Sequence, residues 1–475
     1  MLSDATALER VDAALERAAR LEARLHAFLS LDAAGARRRA AELDAHSGPR
    51  GALHGLPFAV KANLCWSGVE TNAGSALLAG YRAPYTATSV QRALDAGAVA
   101  LGVANMDEFG FGSSGENSAF GPSRNPWDLA RTPGGSSSGA AAAVAAGSVA
   151  FALGSDTGGS VRQPAALCGV SGFKPSYGRV SRYGLIAFAS SLDCVGVLAP
   201  DVERVASVLG AISGADERDS TCLPEPSCSA PAPRSLQGVR IGAPREHFGA
   251  GVDPRVAACV RAALSELERL GAQVLEIDLP HTHAAISTYY VVASAEASSN
   301  LARYDGVRYG KRERGDGSLQ GMITATRSSG FGAEARRRIA LGSYVLSSGY
   351  YEAWYVQALK VRRLIARDFE RAFERVDVIA GPTSPSLAFA LGERSADPLA
   401  MYAGDALTTP ASLAGLPALS TPCGLVREGD SDLPVGLQWI GPHGADEFVL
   451  ALGAAWQRAS AHHLARPALA QEAQR

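Results

Sequence analysis

Leu8, Val11, Leu15, Leu21, Leu25 and Phe28 recur at helical spacing among charged residues near the start of the chain. This stripe predicts an amphipathic helix over 4–30 behind a Ser3/Asp4 cap, then a more polar helix to about residue 45. The Gly/Pro stretch "HSGPRGALHG" ends that pattern. Short apolar runs of buried-strand type follow: "LPFAVKA" (56–62), "VALGVAN" (99–105) and "VAFALGS" (149–155). Between them "ATSVQRALDAGA" and the small-residue "SSSGAAAAVAAG" read as helices. After a helix over 201–213 and a Pro/Ser/acidic excursion at 215–237, the alternation resumes. It runs through "VRIGAP", a helix over 254–270, "QVLEIDL", a helical stretch through 281–375, and the strand-like "VDVIAGP", "PALSTP" and "VGLQWIG". Strands alternating with helices predict an α/β fold, a sheet with helices on its faces. No internal repeat is present, and the later strands are expected to rejoin the earlier sheet in one domain spanning 1–475.

Composition narrows the function classes. With 475 residues, 47% of them hydrophobic and 19% charged, the chain can bury a substantial core. A formal net charge of −2 supplies no general basic field, which argues against stand-alone nucleic-acid recognition. No apolar run reaches the roughly 18–20 residues that span a bilayer. The charged N-terminal helix lacks the apolar core of a signal peptide. Seven cysteines without a C-x-x-C read as reduced thiols of a cytoplasmic protein, and the nine scattered histidines form no metal-ligand cluster. Only four of the 45 basic residues are lysines: Lys61, Lys174, Lys311 and Lys360. Arginine keeps its proton in a protein, whereas a desolvated lysine can lose it, so each surviving lysine is a candidate base.

Three short motifs fail on context. "GFGSSG" (110–115) fits the dinucleotide pattern, but "ENSAFGPSRNPWD" follows where a helix is required. "GVRYGK" lacks the loop length and Ser/Thr of a phosphate-binding loop. "GSSSG" (135–139) fits an esterase elbow around Ser137, although "WDLARTPG" precedes it in place of a strand. A distributed set is stronger: Lys61 in "FAVKAN", Ser136 in "PGGSSSG" and Ser160 in "DTGGSVRQP". A strand end followed by Gly-rich turns brings side chains and bare N–H groups to the lip of a sheet. Thr157, Gly158 and Gly159 would then form an anion-binding nest of the kind an acyl-transfer oxyanion requires. Such a nest could equally hold a phosphate or be a plain turn.

The stretch 55–200, with "GGSSSG…DTGGS" at its centre, resembles the amidase signature family. The resemblance implies a large mixed β-sheet covered by helices on both faces. It also implies a Ser–cis-Ser–Lys catalytic set, with Ser160 as nucleophile, Ser136 as bridging serine and Lys61 as base. A working base needs a lysine pKa about 3 units below the reference of about 10.4, at a cost of roughly 4 kcal/mol.

"NMDEFGFGSSGENSAFGPSRNPWD", "SSNLARYDGVRYG" and "LSSGYYEAWY" extend the resemblance over nearly the whole chain. They point to the family branch that releases ammonia from glutamine inside tRNA-dependent amidotransferases. There Arg338 and Asp405 would grip the α-carboxylate and α-ammonium of glutamine. Without the resemblance either residue reads as a structural or surface ion-pair member. The branch implies a heterotrimer. It also implies that this chain binds no cofactor, that ATP, Mg²⁺ and mischarged tRNA belong to a B subunit, and that a small C subunit clamps the two. The alternative is a free-standing amidase acting on small amides. Two departures stand out: Ala62 follows Lys61 where an acid is common, and Ser138 and Ala140 replace the usual Gly and Ser.

Overall fold

The computed structural model describes residues 5–225, 228 and 234–472. Eleven strands among them form one mixed sheet. They are β1 (Phe28–Leu31), β2 (Pro57–Lys61), β3 (Val99–Ala104), β4 (Phe151–Asp156), β5 (Ser171–Lys174), β6 (Cys194–Ala199), β7 (Arg240–Pro244), β8 (Gln273–Ile277), β9 (Val378–Pro382), β10 (Ala418–Glu428) and β11 (Ser431–Ile440). Their spatial order is β1-β3-β2-β4-β6-β5-β10-β11-β9-β7-β8. The triplets β3-β2-β4 and β9-β7-β8 are parallel, and the strands between them are antiparallel. Early and late segments meet where β5 pairs with β10, Phe173 opposite Leu419.

Strand periodicity divides the core between the two faces. Phe58, Val60, Phe151 and Leu153 point into one cluster with helices 88–95, 202–212, 254–269 and 446–460. The intervening Ala59 and Ala152 face the other side, against helices 7–25, 33–45 and 138–145. Alanine at these positions lets the alanine-rich helix Ser138–Ala145, buried at every residue, lie close on the sheet. Ile379, Ala418 and Ile440 continue the second face into a cluster with helices Ala285–Leu301 and Gln357–Phe373. Helices therefore cover both faces.

Several boundaries differ from the sequence pattern. The first helix runs only from Ala7 to Leu25, where His26 turns left-handed at φ 49°. Phe28, apolar at helical spacing, instead begins β1, which pairs with β3. The Ser3/Asp4 cap lies outside the described residues. Thr6 caps the helix, accepting from the Glu9 N–H, while Glu9 closes the capping box. The 281–375 stretch divides into helices Ala285–Leu301, Leu319–Gly330, Ala333–Val345 and Gln357–Phe373. Strands β5 and β6, and helices Arg162–Cys168 and Asp446–Ser460, were not predicted from the sequence pattern. Within the 215–237 excursion, residues 226, 227 and 229–233 lie outside the described residues. No helix of the described residues is long and apolar enough to cross a membrane.

Candidate active site

Lys61 and Asp156 are the last residues of β2 and β4, adjacent parallel strands that end at the same edge of the sheet. Loops leaving that edge bring in the serines. Lys61 is fully buried. Its Nζ donates to Ser136 Oγ at 2.8 Å, Ser155 Oγ at 3.0 Å and the Ser155 carbonyl at 3.2 Å. Burial pulls the Lys61 pKa down to about 7, against the opposing charges of Asp107, Asp156 and Asp193. Of those three, Asp107 and Asp193 are themselves pushed up by burial, to about 6 and about 7. The lysine is thus poised near neutrality, as a base must be. Lys174 is also buried, but donates to the Pro175 carbonyl and not to a serine of this cluster.

Ser136 follows a cis peptide bond from Gly135. The turn is anchored on both sides: Gly135 N–H donates to Gln163 Oε1, and Asp107 N–H to the Ser136 carbonyl. Ser137 N–H donates to the Ser160 carbonyl at 3.1 Å, so the two serine-bearing turns abut. Ser160 is 9% exposed, and its Oγ makes no hydrogen bond among the described residues.

Asp156 organises the second turn. Its carboxylate accepts from the N–H groups of Gly159, Val161 and Arg162 and pairs with the Arg162 guanidinium at 2.9 and 3.0 Å. Both side chains are fully buried. Burial alone would raise the Asp156 pKa, but Arg162 holds it below the ordinary carboxylate range. Arg162 continues to the Thr408 carbonyl, Gln438 Oε1 and Ser412 Oγ, tying the turn to the 405–412 segment. Because the Gly159 N–H is taken by Asp156, the nest that can face a ligand is narrower than the sequence pattern suggests. It consists of the Thr157, Gly158 and Ser160 amides, none of which has a partner among the described residues. Gly159 sits at φ 141° with the Thr408 side chain 2.3 Å from where a Cβ would be. At Gly158 a Cβ would meet the Tyr289 ring at 2.6 Å.

Arg338 and Asp405 converge from distant elements. Asp405 is buried, accepts from Ser113 Oγ at 2.7 Å and Tyr290 Oη at 3.1 Å, and has its pKa raised to about 6 by burial. Arg338 stands over the Tyr290 and Tyr402 rings, 4.1 and 4.5 Å from their centroids. Its Nε donates to Glu334 Oε1 at 2.6 Å, and Tyr402 Oη donates to the same oxygen at 2.7 Å. The terminal guanidinium nitrogens have no hydrogen-bond partner among the described residues. A cavity of about 170 Å³ opens beside them, with Ser113, Arg338 and Tyr402 in its wall. Sequence reasoning missed Ser155, Asp156, Arg162, Tyr290, Glu334 and Tyr402. The i, i+4 spacing of Glu334 and Arg338 was a legible signal for one pair.

A buried lysine bonded to a serine, beside a second serine turn with open amides, is acyl-transfer geometry. The amidase family model matches residues 9–450, and the chain belongs to that family. Within it, the chain is 52% identical to the A subunit of glutamyl-tRNA(Gln) amidotransferase from Symbiobacterium thermophilum, over 99% of this chain and 97% of that protein. It is 54% identical to the protein of the same name from Moorella thermoacetica, over 97% and 95%. The solved structure of the corresponding A subunit from Thermotoga maritima superposes with a TM-score of 0.79 at 42% identity, covering 95% of this chain and 91% of that one.

Proposed function

We propose that the chain is the glutamine-hydrolysing subunit of a tRNA-dependent amidotransferase. The ammonia it releases would convert Glu-tRNA(Gln) to Gln-tRNA(Gln), Asp-tRNA(Asn) to Asn-tRNA(Asn), or both. The observation that carries the reading is the 2.8 Å bond from buried Lys61 to Ser136, next to the Ser160 turn, which Arg162 ties to the segment that carries Asp405. Glutamine binds with its α-carboxylate on the open end of Arg338 and its α-ammonium on Asp405. Ser160 Oγ attacks the side-chain amide carbon while Ser136 takes its proton and passes its own to neutral Lys61. The amides of Thr157, Gly158 and Ser160 hold the oxyanion. Collapse of the tetrahedral adduct breaks the C–N bond, and the proton returns through Ser136 to the leaving nitrogen, giving ammonia. Water, deprotonated by the same relay, then releases glutamate from Ser160.

This reading assigns mischarged tRNA, ATP and Mg²⁺ to the B subunit, with the clamping of the complex left to the C subunit, in the cytoplasm and away from membranes. The test is amidation of Glu-tRNA(Gln) and Asp-tRNA(Asn) with purified components. Amidation should require all three subunits, ATP, Mg²⁺ and an intact Ser160, while Ser160→Ala, Ser136→Ala and Lys61→Ala each abolish glutamine hydrolysis. Amidation or tight tRNA binding by this chain alone refutes the division of labour. Strong hydrolysis of unrelated amides, indifferent to the other subunits, points to a free-standing amidase instead.

A further inference from the structure

Pro57 opens β2 and Lys61 closes it, which places them about 13 Å apart along the strand. At the Pro57 end lies an open cleft of about 800 Å³ that takes no part in the chemistry above. Four arginines rim it. Arg10 and Arg17 stand two turns apart on the first helix, Arg50 comes from the loop before β2, and Arg204 from the first turn of helix Val202–Ile212. Arg10 is braced by a 3.2 Å bond to the His54 carbonyl. Among the described residues Arg17, Arg50 and Arg204 have no carboxylate partner, and no Asp or Glu lines the cleft. Two carboxylates on the same helices are engaged elsewhere, Asp12 with Arg37 and Glu203 with Arg458. Burial, and then the neighbouring Arg20, lower the Arg17 pKa, and burial followed by Arg50 lowers that of His54. Burial is the larger cause in both, the neighbouring arginine adds to it, and at His54 Asp44 opposes the shift.

The floor decides what kind of anion fits. Its apolar lining is aliphatic, Leu56 and Val149 included, and carries no Phe, Tyr or Trp. The cleft offers no aromatic platform for a nucleobase, and a phosphate chain gains nothing from an aliphatic floor. A peptide alternating Asp/Glu with Leu/Val satisfies both features: its carboxylates take the guanidinium forks and its aliphatic side chains cover the floor. We propose that this cleft seats an acidic, aliphatic segment of a partner subunit. The proposal rests on the reading of this chain as one subunit of a complex. It places that contact at the opposite end of β2 from the relay, where docking leaves glutamine access open.

The experiment co-expresses the full chain with the B and C subunits of the same organism and measures assembly by analytical ultracentrifugation. Arg17→Glu/Arg204→Glu should weaken assembly at least tenfold, with glutamine hydrolysis by the isolated chain and its thermal midpoint unchanged. The charge-matched Arg269→Glu/Arg371→Glu variant should assemble as the wild type does. Unchanged assembly of Arg17→Glu/Arg204→Glu overturns the docking site. So does binding of tripolyphosphate or a 12-nucleotide RNA that this double variant loses while assembly persists, since the cleft would then be a phosphate site. Failure of the wild-type chain to assemble with either of its partners is a separate result: it overturns the subunit reading, taking the docking site with it.

Discussion

In the proposed relay the base is Lys61, and only its neutral form can accept the Ser160 proton through Ser136. A pKa near 7 makes about one molecule in eleven competent at pH 6 and about ten in eleven at pH 8, a roughly tenfold rise that then levels off. A lysine at the ordinary value of about 10.4 gives a hundredfold rise over the same interval and keeps climbing through pH 9. Glutamine is a poor reporter, because Asp405, which burial raises to about 6, is the proposed partner of its α-ammonium and adds a second titration. The assay is therefore the rate of Ser160 phosphonylation by an uncharged fluorophosphonate, with loss of fluoride, from pH 5.5 to 9. The expected profile bends near pH 7 and is flat above 8. Lys61→Arg, which stays protonated throughout, should react as slowly as Lys61→Ala at every pH. A profile of unit slope beyond pH 8.5, or substantial reactivity in Lys61→Arg, refutes the assignment. The same shift has a sign for stability. Lowering a lysine pKa from 10.5 to about 7 destabilises the fold by about 5 kcal/mol below pH 7, and this penalty fades as pH rises towards 10.5. Lys61→Met should accordingly gain most over the wild type in chemical denaturation at pH 6, and less at pH 9.

Arg338→Ala and Asp405→Asn should raise the KM for glutamine at least tenfold while leaving fluorophosphonate labelling of Ser160 unchanged; loss of labelling to the same degree would make them structural residues. In the wild type the KM should fall as pH rises through about 6, because burial raises Asp405 to that value and the ionised carboxylate is the form that meets the α-ammonium; Asp405→Asn should lack this limb. Asp156→Asn leaves the buried Arg162 without its counter-charge and should cost about 3–5 kcal/mol, read as a lowered thermal midpoint and loss of labelling together. Gly158→Ala should lower both labelling and the thermal midpoint, the latter by about 1–3 kcal/mol of stability, since its Cβ would meet the buried Tyr289 ring at 2.6 Å; full labelling would show that the turn tolerates the shift.

Local pattern determines much of this protein's architecture. The apolar runs at β2, β3 and β4 and the helices between them were legible because each is a short, uniform segment with Gly or polar punctuation. The positions of the proposed relay residues follow the same local logic: Lys61 ends a strand and both serines sit in Gly-rich turns, while the family resemblance is what joins them across a hundred residues. Local pattern failed where long-range pairing decides the state. Phe28 fits a helical stripe, yet backbone groups on the edge of β3 claim it for β1. β5 is four residues long and becomes a strand only between β6 and β10. The desolvation that brings Lys61 to about 7 is likewise a property of the packed sheet edge, since no neighbour in sequence supplies it. Asp156 illustrates the division well. Its place beside Gly158 and Gly159 could be read from the chain, but which amide it would take from the nest could not. That was decided when Arg162, Thr408 and Gln438, brought together from three parts of the chain, fixed the turn in one orientation.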